Sequence, residues 1–388
     1  MKKKIFFLYS RDIERNDSGG SRTLIMQIEY LASHGFECHC LFNIIDGPKE
    51  NVVYYQKEND YIKQARRIIV ENNIHIAMIP EAFYYAESLS KTFKGTNCKI
   101  VSALHSKPGY DRCRLYILLL ESMCYNESIV KRLRAAVLLL IYPVFYLLYC
   151  LQDYKRFHNA YVNVDYLVLL AKSFIPEYSR IYNVPQEKLR AVGNAISFDQ
   201  FATDQDIENK NKTILIVARF EERSKRILMS LKIWEQIQDR YPDWNLEIVG
   251  FGRSKPLYVD YIKKHELKRV TLAGKQAPLE YYKRASIFMM TSAYEGWGMT
   301  IVEAMQMGCV PVVMDSFSAL YEIVDKGVNG YIVENSNLKQ FADKLSSLIE
   351  NSDLRKNLAI AAVQKSHAWE PDKVYSKYAD IYNSILED

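Results

Sequence analysis

The chain has 388 residues, of which 49% are hydrophobic and 25% are charged, and these near-average proportions exclude disordered, collagenous and porin-like proteins. Its net charge of +5 is too small for its length to indicate a nucleic-acid-binding protein. At roughly 150 residues per domain, the length predicts two domains. The seven cysteines show no C-x-x-C spacing, so we interpret them as reduced core thiols and expect a cytoplasmic protein.

Short apolar runs alternate with helical-period segments from the start of the chain. This pattern is typical of a parallel β-sheet with helices on both faces, and it predicts an α/β fold. In the first half, five runs are predicted strands: 5–9, 37–42, 74–79, 99–104 and 166–170.

A glycine-containing turn, Asp17-Ser18-Gly19-Gly20, follows the first predicted strand and opens a predicted helix that runs to about His34. Glycines at a helix N-terminus let a phosphate approach the backbone, and the helix dipole favours its negative charge. Gly19 and Gly20 are therefore candidate phosphate-binding residues, although a plain tight turn explains them equally well.

The run 135–151 contains no charged residue, and basic residues flank it on both sides. It is at the lower limit of length for a membrane-spanning helix. Tyr142, Tyr146 and Tyr149 recur at helical spacing, as expected for a helix that lies in the headgroup region between basic anchors. We predict a hydrophobic helix at 135–151 and peripheral membrane contact through 131–156. A helix buried in a large first domain would show the same periodicity.

A second series of apolar runs predicts a second Rossmann-like unit, with strands at 213–217, 246–249, 270–273, 287–290 and 310–313. The polar stretch 199–212 separates the two series and has the composition of a linker. We therefore predict domains at 1–200 and 201–370, with a terminal helix in 371–388. The linker contains Asp204-Gln205-Asp206, but this D-x-D pattern does not follow a buried strand, so we expect no metal site there.

Two cations, Arg219 and Lys225, follow the first strand of the second domain. Ligands of open α/β sheets bind at the carboxyl ends of the strands. An arginine fork and a lysine point charge there could hold a diphosphate, although a solvated charge cluster is an equal alternative. Gly250 and Gly252 follow the next strand, where small residues would leave space for a bound group.

The strongest pattern lies at 294–313, where Glu295 and Glu303 bracket a glycine-rich turn and a short predicted helix. Two carboxylates in this setting suit the hydroxyl groups of a sugar or ribose, while the helix N-terminus suits a phosphate. The candidate residues between the two carboxylates are Gly296, Trp297, Gly298, Met299 and Thr300.

The segment 295–313 resembles the E-x7-E signature of the retaining nucleotide-sugar glycosyltransferases of family 4, which have the GT-B fold. Other positions follow in the family's order. Gly19-Gly20 resembles its first phosphate loop, His105 its active-site histidine, and Arg219 with Lys225 its Arg/Lys pair. Segments 193–197 and 329–333 also resemble family segments. The resemblance covers nearly the whole chain and is firmest in the second domain.

The resemblance implies two doubly wound Rossmann-like domains that face a central cleft, with the C-terminal helix 371–388 crossing back to the N-terminal domain. The N-terminal domain would serve the acceptor, and the C-terminal domain would bind a nucleotide diphosphate sugar. The sugar would be transferred with retention of configuration, without a metal ion or another cofactor. The expected acceptor is a glycan or a lipid-linked glycan of bacterial cell-surface polysaccharide biosynthesis, at the inner face of the membrane.

The same resemblance implies the roles of the candidate side chains. Arg219 and Lys225 would neutralise charge on the departing diphosphate. Glu303 would bind the nucleotide ribose, Glu295 would contact sugar hydroxyls, and His105 would line the sugar pocket.

Two alternatives remain at this point. A dinucleotide-binding Rossmann oxidoreductase or epimerase would need G-x-G-x-x-G after its first strand, and Gly19-Gly20 lacks that spacing. A catalytically silent glycosyltransferase-like partner subunit would have no physical need for the four charged residues Arg219, Lys225, Glu295 and Glu303.

Overall fold

The computed structural model describes residues 3–14, 19–45, 49–80, 82–109, 129–140 and 142–387. The chain divides into two compact units. The first unit comprises Met1–Ala195 and Pro371–Asp388, and the second comprises Ile196–Glu370.

The described residues of the first unit form a seven-stranded parallel sheet in the order β3-β2-β1-β4-β5-β6-β7. Its strands are β1 (Lys3–Phe7), β2 (Phe36–Cys40), β3 (Val52–Tyr54), β4 (Ile76–Met78), β5 (Lys99–Leu104), β6 (Tyr166–Leu169) and β7 (Leu189–Ala191). Strands buried on both faces carry mostly apolar runs, which is why the five predicted strands are found. β3 and β7 were not predicted: β3 is short and only partly buried, and β7 contains Arg190.

Helices cover this sheet: α1 (Gly19–Ser33), α2 (Tyr61–Glu71), α3 (Ala86–Phe93), α4 (Ile129–Leu140), α5 (Tyr142–Asn163) and α6 (Phe174–Tyr182). The C-terminal helix α16 (Pro371–Glu387) packs on α1. The Tyr375 hydroxyl donates to the Thr23 carbonyl at 3.3 Å, and the Gln27 amide donates to the Tyr382 hydroxyl at 3.1 Å. The predicted return of the C-terminal helix to the first unit is confirmed.

The described residues of the predicted helix 135–151 are helical and belong to α4 and α5, while residue 141 between them lies outside the described residues. Helical residues extend beyond the predicted bounds on both sides, to Ile129 and to Asn163. Searching the residues that the structure describes, we find no helix with the length and apolarity needed to cross a membrane.

The tyrosines of this segment do not build its most exposed face. Tyr142 and Tyr149 are half-buried and Tyr146 is 38% exposed. Within 131–156, the exposed apolar side chains of α4 and α5 are mainly aliphatic, at 49–83% exposure: Leu133, Val137, Leu140, Val144, Leu147, Leu148 and Leu151.

The described residues of the second unit form a six-stranded parallel sheet in the order β10-β9-β8-β11-β12-β13. Its strands are β8 (Asn211–Val217), β9 (Asn245–Val249), β10 (Val270–Gly274), β11 (Ala285–Met290), β12 (Val310–Met314) and β13 (Tyr331–Val333). The helices are α7 (Asp204–Glu208), α8 (Glu222–Lys225), α9 (Ile227–Ile237), α10 (Lys255–Lys264), α11 (Leu279–Arg284), α12 (Met299–Gln306), α13 (Leu320–Ile323), α14 (Leu338–Glu350) and α15 (Ser352–Ser366).

The predicted linker 199–212 is ordered structure rather than a connector. It contains α7, which begins with a capping box in which Thr203 and Asp206 exchange hydrogen bonds, and it ends in β8. Polar composition suggested a linker, but the same composition suits a capped surface helix.

The strand order places the functional edge of the second sheet. In this order the direction of winding reverses between β8 and β11. Open α/β sheets bind ligands beyond the carboxyl ends of strands at such a reversal. A ligand site is therefore expected among the residues that follow β8 and β11.

Candidate functional site

The loop after β8 carries Arg219, which is exposed, and leads into α8, which ends at Lys225. Lys225 Nζ donates to Glu295 Oε1 at 2.6 Å, and their side chains are 19% and 16% exposed. Glu295 lies in the loop after β11. The structure thus joins two sequence-predicted residues from opposite sides of the sheet reversal in one partly buried ion pair.

Hydrogen bonds to the backbone of α8 hold this helix between the loops that follow β9 and β11. The Ala293 N–H donates to the Ser224 carbonyl at 2.8 Å, and the Thr291 hydroxyl donates to the Lys225 carbonyl at 3.2 Å. On the other side, the Glu222 N–H donates to the Ser254 hydroxyl at 3.1 Å. The loops after β8, β9 and β11 therefore form one connected rim.

Gly250 and Gly252 are required by close backbone packing. Their φ angles are +150° and +152°, a region that side chains other than glycine's rarely adopt. A Cβ on Gly250 would lie 1.8 Å from the Ala218 carbonyl oxygen, and a Cβ on Gly252 would lie 2.5 Å from the Phe220 carbonyl oxygen. The absent side chains make room for the β8 loop, whereas the sequence interpretation assumed room for a ligand.

Between these glycines, Phe251 is 50% exposed. Lys275 Nζ lies 5.1 Å from the centre of its ring. The loop after β9 is held by a hydrogen bond from the Phe220 N–H to the Phe251 carbonyl at 2.7 Å. An aromatic face and a further cation thus lie next to the loop that carries Arg219.

The glycine-rich turn before α12 ends at Gly298, which caps this helix with φ +84°. Gly296 lies in the turn and is half-buried, while Met299 and Thr300 open the helix and are also half-buried. Early N–H groups of a helix lack intrahelical acceptors, so this terminus is available to an anion.

Trp297 is 4% exposed and packs edge-to-face on Trp369, with ring centres 6.0 Å apart. Its indole Nε1 is buried and has no acceptor among the described residues. Trp297 therefore anchors the turn to the end of the second unit, and sequence inspection alone did not pair it with Trp369.

Glu303 is enclosed by its neighbours and is only 5% exposed. Its Oε2 accepts a hydrogen bond from the Tyr282 hydroxyl at 3.0 Å. Tyr282 comes from α11 and is fully buried. Sequence inspection missed this partner, since nothing in the local pattern of α11 points to a carboxylate.

The first-unit candidates lie at their own sheet. Gly19 and Gly20 are the first residues of α1, whereas Asp17 and Ser18 lie outside the described residues. His105 directly follows β5. Its Nδ1 is buried without a described partner, and burial lowers its pKa to about 4, so the ring is neutral near pH 7.

Metal binding finds no support among the described residues, where no group of three His, Cys, Asp or Glu side chains could hold an ion. In the D-x-D pattern, Asp206 accepts hydrogen bonds from the Thr203 N–H at 2.8 Å and hydroxyl at 2.7 Å. Its pKa is lowered by these bonds. The carboxylate thus has a capping role.

Comparison with known proteins bears on the unit that carries this rim. The family model described as "Glycosyl transferases group 1" matches residues 197–365. Over these residues the chain is similar to that family. The matched range contains every second-unit candidate residue. Membership of family 4 within this group stays a prediction.

Curated relatives align with part of the chain. The amylovoran biosynthesis glycosyltransferase AmsD of Erwinia amylovora is 31% identical over 182 residues, which is 46% of this chain and 50% of that protein. A Campylobacter jejuni N-acetylgalactosamine-N,N'-diacetylbacillosaminyl-diphospho-undecaprenol 4-alpha-N-acetylgalactosaminyltransferase is 24% identical over 55% of this chain and 59% of its own length. The chain spans about half the length of the first curated relatives it matches.

Solved structures extend the likeness to both units. Anabaena HepE in complex with UDP and glucose superposes with a TM-score of 0.71 and 15% identity, over 98% of this chain and 100% of HepE. At this identity the likeness concerns the fold alone. Together with the two parallel sheets, it confirms the predicted GT-B fold.

Proposed function

We propose that the protein is a retaining glycosyltransferase that moves a sugar from a nucleotide diphosphate sugar to a glycan or lipid-linked acceptor in bacterial cell-surface polysaccharide biosynthesis. The observation that carries the proposal is the Lys225–Glu295 pair at 2.6 Å, beside exposed Arg219 and the N-terminus of α12. The relatives support the same class, since AmsD is named for polysaccharide biosynthesis and HepE was crystallised with UDP and glucose.

The charges suit a leaving diphosphate. As the bond from sugar C1 to the diphosphate oxygen breaks, negative charge grows on that oxygen. Arg219 and Lys225 would stabilise it, as fixed positive charges do for developing anions. The acceptor hydroxyl would attack C1 from the same face, and its proton would pass to the departing phosphate oxygen. This route needs no enzyme nucleophile.

The ion pair also gives Glu295 a defined place in this scheme. In the free protein Glu295 neutralises Lys225. When a diphosphate binds Lys225, the Glu295 carboxylate would be released to accept hydrogen bonds from sugar hydroxyls. Donor binding would therefore exchange one charge partner for another.

The test is product analysis with a panel of UDP, GDP and ADP sugars. Release of the nucleoside diphosphate is followed in the presence of lipid-linked acceptor extracts, and the anomeric proton coupling of the product is read by NMR. The proposal predicts release with one donor base and a product with the donor's anomeric configuration. An inverted product would reject retention, and absent turnover with a bound donor would favour the silent-subunit alternative.

We further propose that the transfer needs no divalent cation, because Arg219 and Lys225 supply the positive charge. Treatment with EDTA should leave the rate within about twofold of the untreated enzyme. Loss of activity with EDTA and its return with manganese would reject this proposal.

We also propose peripheral contact with the inner face of the cell membrane through 131–156. Seven aliphatic side chains of α4 and α5 within this segment are 49–83% exposed, and extensive exposed apolar surface marks an interaction site. Exposed Arg134 and Lys155 lie within the same segment. Basic side chains beside apolar ones are typical of surfaces that bind anionic lipid.

Vesicle flotation tests this contact. Wild type should float with phosphatidylglycerol vesicles and less with neutral ones, and Leu147→Ser with Leu148→Ser should stay in the soluble fraction. Val328→Ser is the control, because Val328 is 60% exposed in the second unit. Equal behaviour of the double variant and wild type would reject the membrane proposal.

A further inference from the structure

One buried cation on α8, two residues before Lys225, has no counter-charge. Arg223 is only 9% exposed. Its guanidinium Nε is buried without an acceptor, and no hydrogen bond or ion pair reaches the Arg223 side chain from any residue that the structure describes.

The carboxylates near Arg223 in sequence have other partners. Glu222 accepts the Leu228 N–H at 3.0 Å. Glu221 accepts the Ser224 hydroxyl at 3.3 Å and lies 4.0 Å from Arg253. Glu295, across the rim, is bound to Lys225. The positive charge of Arg223 is therefore left in excess.

Such an arrangement is unfavourable in the free protein. The buried Nε–H forgoes a hydrogen bond that it would make in water. Short α8 is held on both sides by the loops after β9 and β11, so Arg223 is kept in this place by its neighbours. Buried polar groups in native proteins nearly always have a partner, so the missing partner here points to a bound group.

We propose that Arg223 is an anion-binding residue of the donor site, which pairs with an oxyanion of the sugar nucleotide in addition to the charge held by Arg219 and Lys225. This rests on the proposed function. The planar guanidinium presents two parallel N–H donors, which match a phosphoryl group or a carboxylate. The oxyanion is thus either the diphosphate itself or a carboxylate on the transferred sugar.

The experiment combines calorimetric titration with thermal unfolding for wild type, Arg223→Met and Arg223→Lys. Methionine keeps the approximate size without the charge, and lysine keeps the charge without the fork. Lys264→Gln is the control, because it removes one positive charge from the exposed end of α10 in the same unit. The probes are inorganic pyrophosphate, the nucleoside diphosphates UDP, GDP and ADP with their glucose conjugates, and UDP-glucuronate.

Arg223→Met should weaken binding by about tenfold to a hundredfold, the loss of a hydrogen bond to a charged group. A loss for pyrophosphate and every nucleotide identifies the diphosphate as the partner. A loss for UDP-glucuronate alone identifies a sugar carboxylate. Either result supports the proposal, together with a ligand-free melting temperature equal to or above that of wild type. Arg223→Lys should lose less than Arg223→Met.

Two results overturn the proposal. Binding constants of both Arg223 variants equal to those of wild type, which itself binds, would reject the assignment while the proposed function survives. A lower ligand-free melting temperature with unchanged binding would show a structural role instead. If wild type binds none of the probes, the proposed function fails and this assignment fails with it.

Discussion

Replacing Arg219 or Lys225 by alanine should lower turnover in both cases but should lower stability in only one. Both variants should lose turnover by orders of magnitude, since each removes a charge from the proposed diphosphate site. Only Lys225→Ala should lose stability, because Lys225 holds Glu295 at 2.6 Å with both side chains mostly buried. Arg219 is exposed, and its side chain makes no hydrogen bond or ion pair with any described residue.

The expected size follows from the geometry of the pair. A hydrogen bond to a charged group contributes about 1.5–3 kcal/mol, and the 16–19% exposure of this pair keeps it below the roughly 3–5 kcal/mol of a fully buried pair. In a domain of 150–250 residues, each kcal/mol shifts the melting temperature by about 2–4 °C. Lys225→Ala should therefore melt about 3–12 °C lower, whereas Arg219→Ala should stay within about 2 °C of wild type.

The assay is differential scanning fluorimetry with donor turnover measured on the same preparations. Glu295→Ala and the double variant Lys225→Ala with Glu295→Ala complete a cycle, in which the double variant should lose less stability than the two single variants together. Additive losses would show that the two side chains do not interact in solution. Equal melting temperatures for the Arg219 and Lys225 variants would refute the reasoning from burial.

Three further changes test other parts of the structure. Gly250→Ala should lower the free energy of unfolding by several kcal/mol in chemical denaturation, because the new Cβ would lie 1.8 Å from the Ala218 carbonyl oxygen. The control Gly274→Ala, with φ +76° and open space around it, should cost only about 1–2 kcal/mol. Similar losses for the two variants would contradict the packing account. Burial lowers the pKa of His105 from 6.5 to about 4, so on acidification the unfolded state is protonated before the folded state. The free energy of unfolding should therefore fall by up to about 3 kcal/mol as pH drops from about 6.5 to about 4. His105→Gln should flatten this part of the pH profile, and an unchanged profile would reject the assignment to His105. Tyr282→Phe should cost about 1–3 kcal/mol by removing the hydroxyl that donates to buried Glu303 at 3.0 Å, and an unfolding free energy equal to that of wild type would show that Glu303 needs no such donor.

The fold was predictable because its determinants are local and repeated. Fully buried parallel strands such as β12 require continuous apolar runs, which are visible in the sequence. β7 contains Arg190 and carries no such run. The stretch 199–212 was misread because composition does not separate a linker from a capped helix.

The site was predictable as a set of residues but not as an arrangement. Spacing placed Arg219, Lys225 and Glu295 after neighbouring strands, and the strand order then brought the last two together. Burial depends on contacts far apart in the chain, so the sequence could not distinguish exposed Arg219 from buried Arg223. The enclosure of Glu303 by Tyr282 is unpredictable for the same reason.

The most direct test of the central claim is a thermal-shift panel of UDP, GDP, ADP, CMP, their sugar conjugates and NAD(P), applied to wild type and Arg219→Ala. Ligands that bind only the folded state stabilise it by an amount that grows with the logarithm of ligand concentration over dissociation constant, and this raises the melting temperature. We expect one nucleoside diphosphate and its sugars to stabilise wild type, with a much smaller shift for Arg219→Ala. Stabilisation by NAD(P) alone, or by no ligand, would contradict a nucleotide-sugar site at the carboxyl edge of the second sheet.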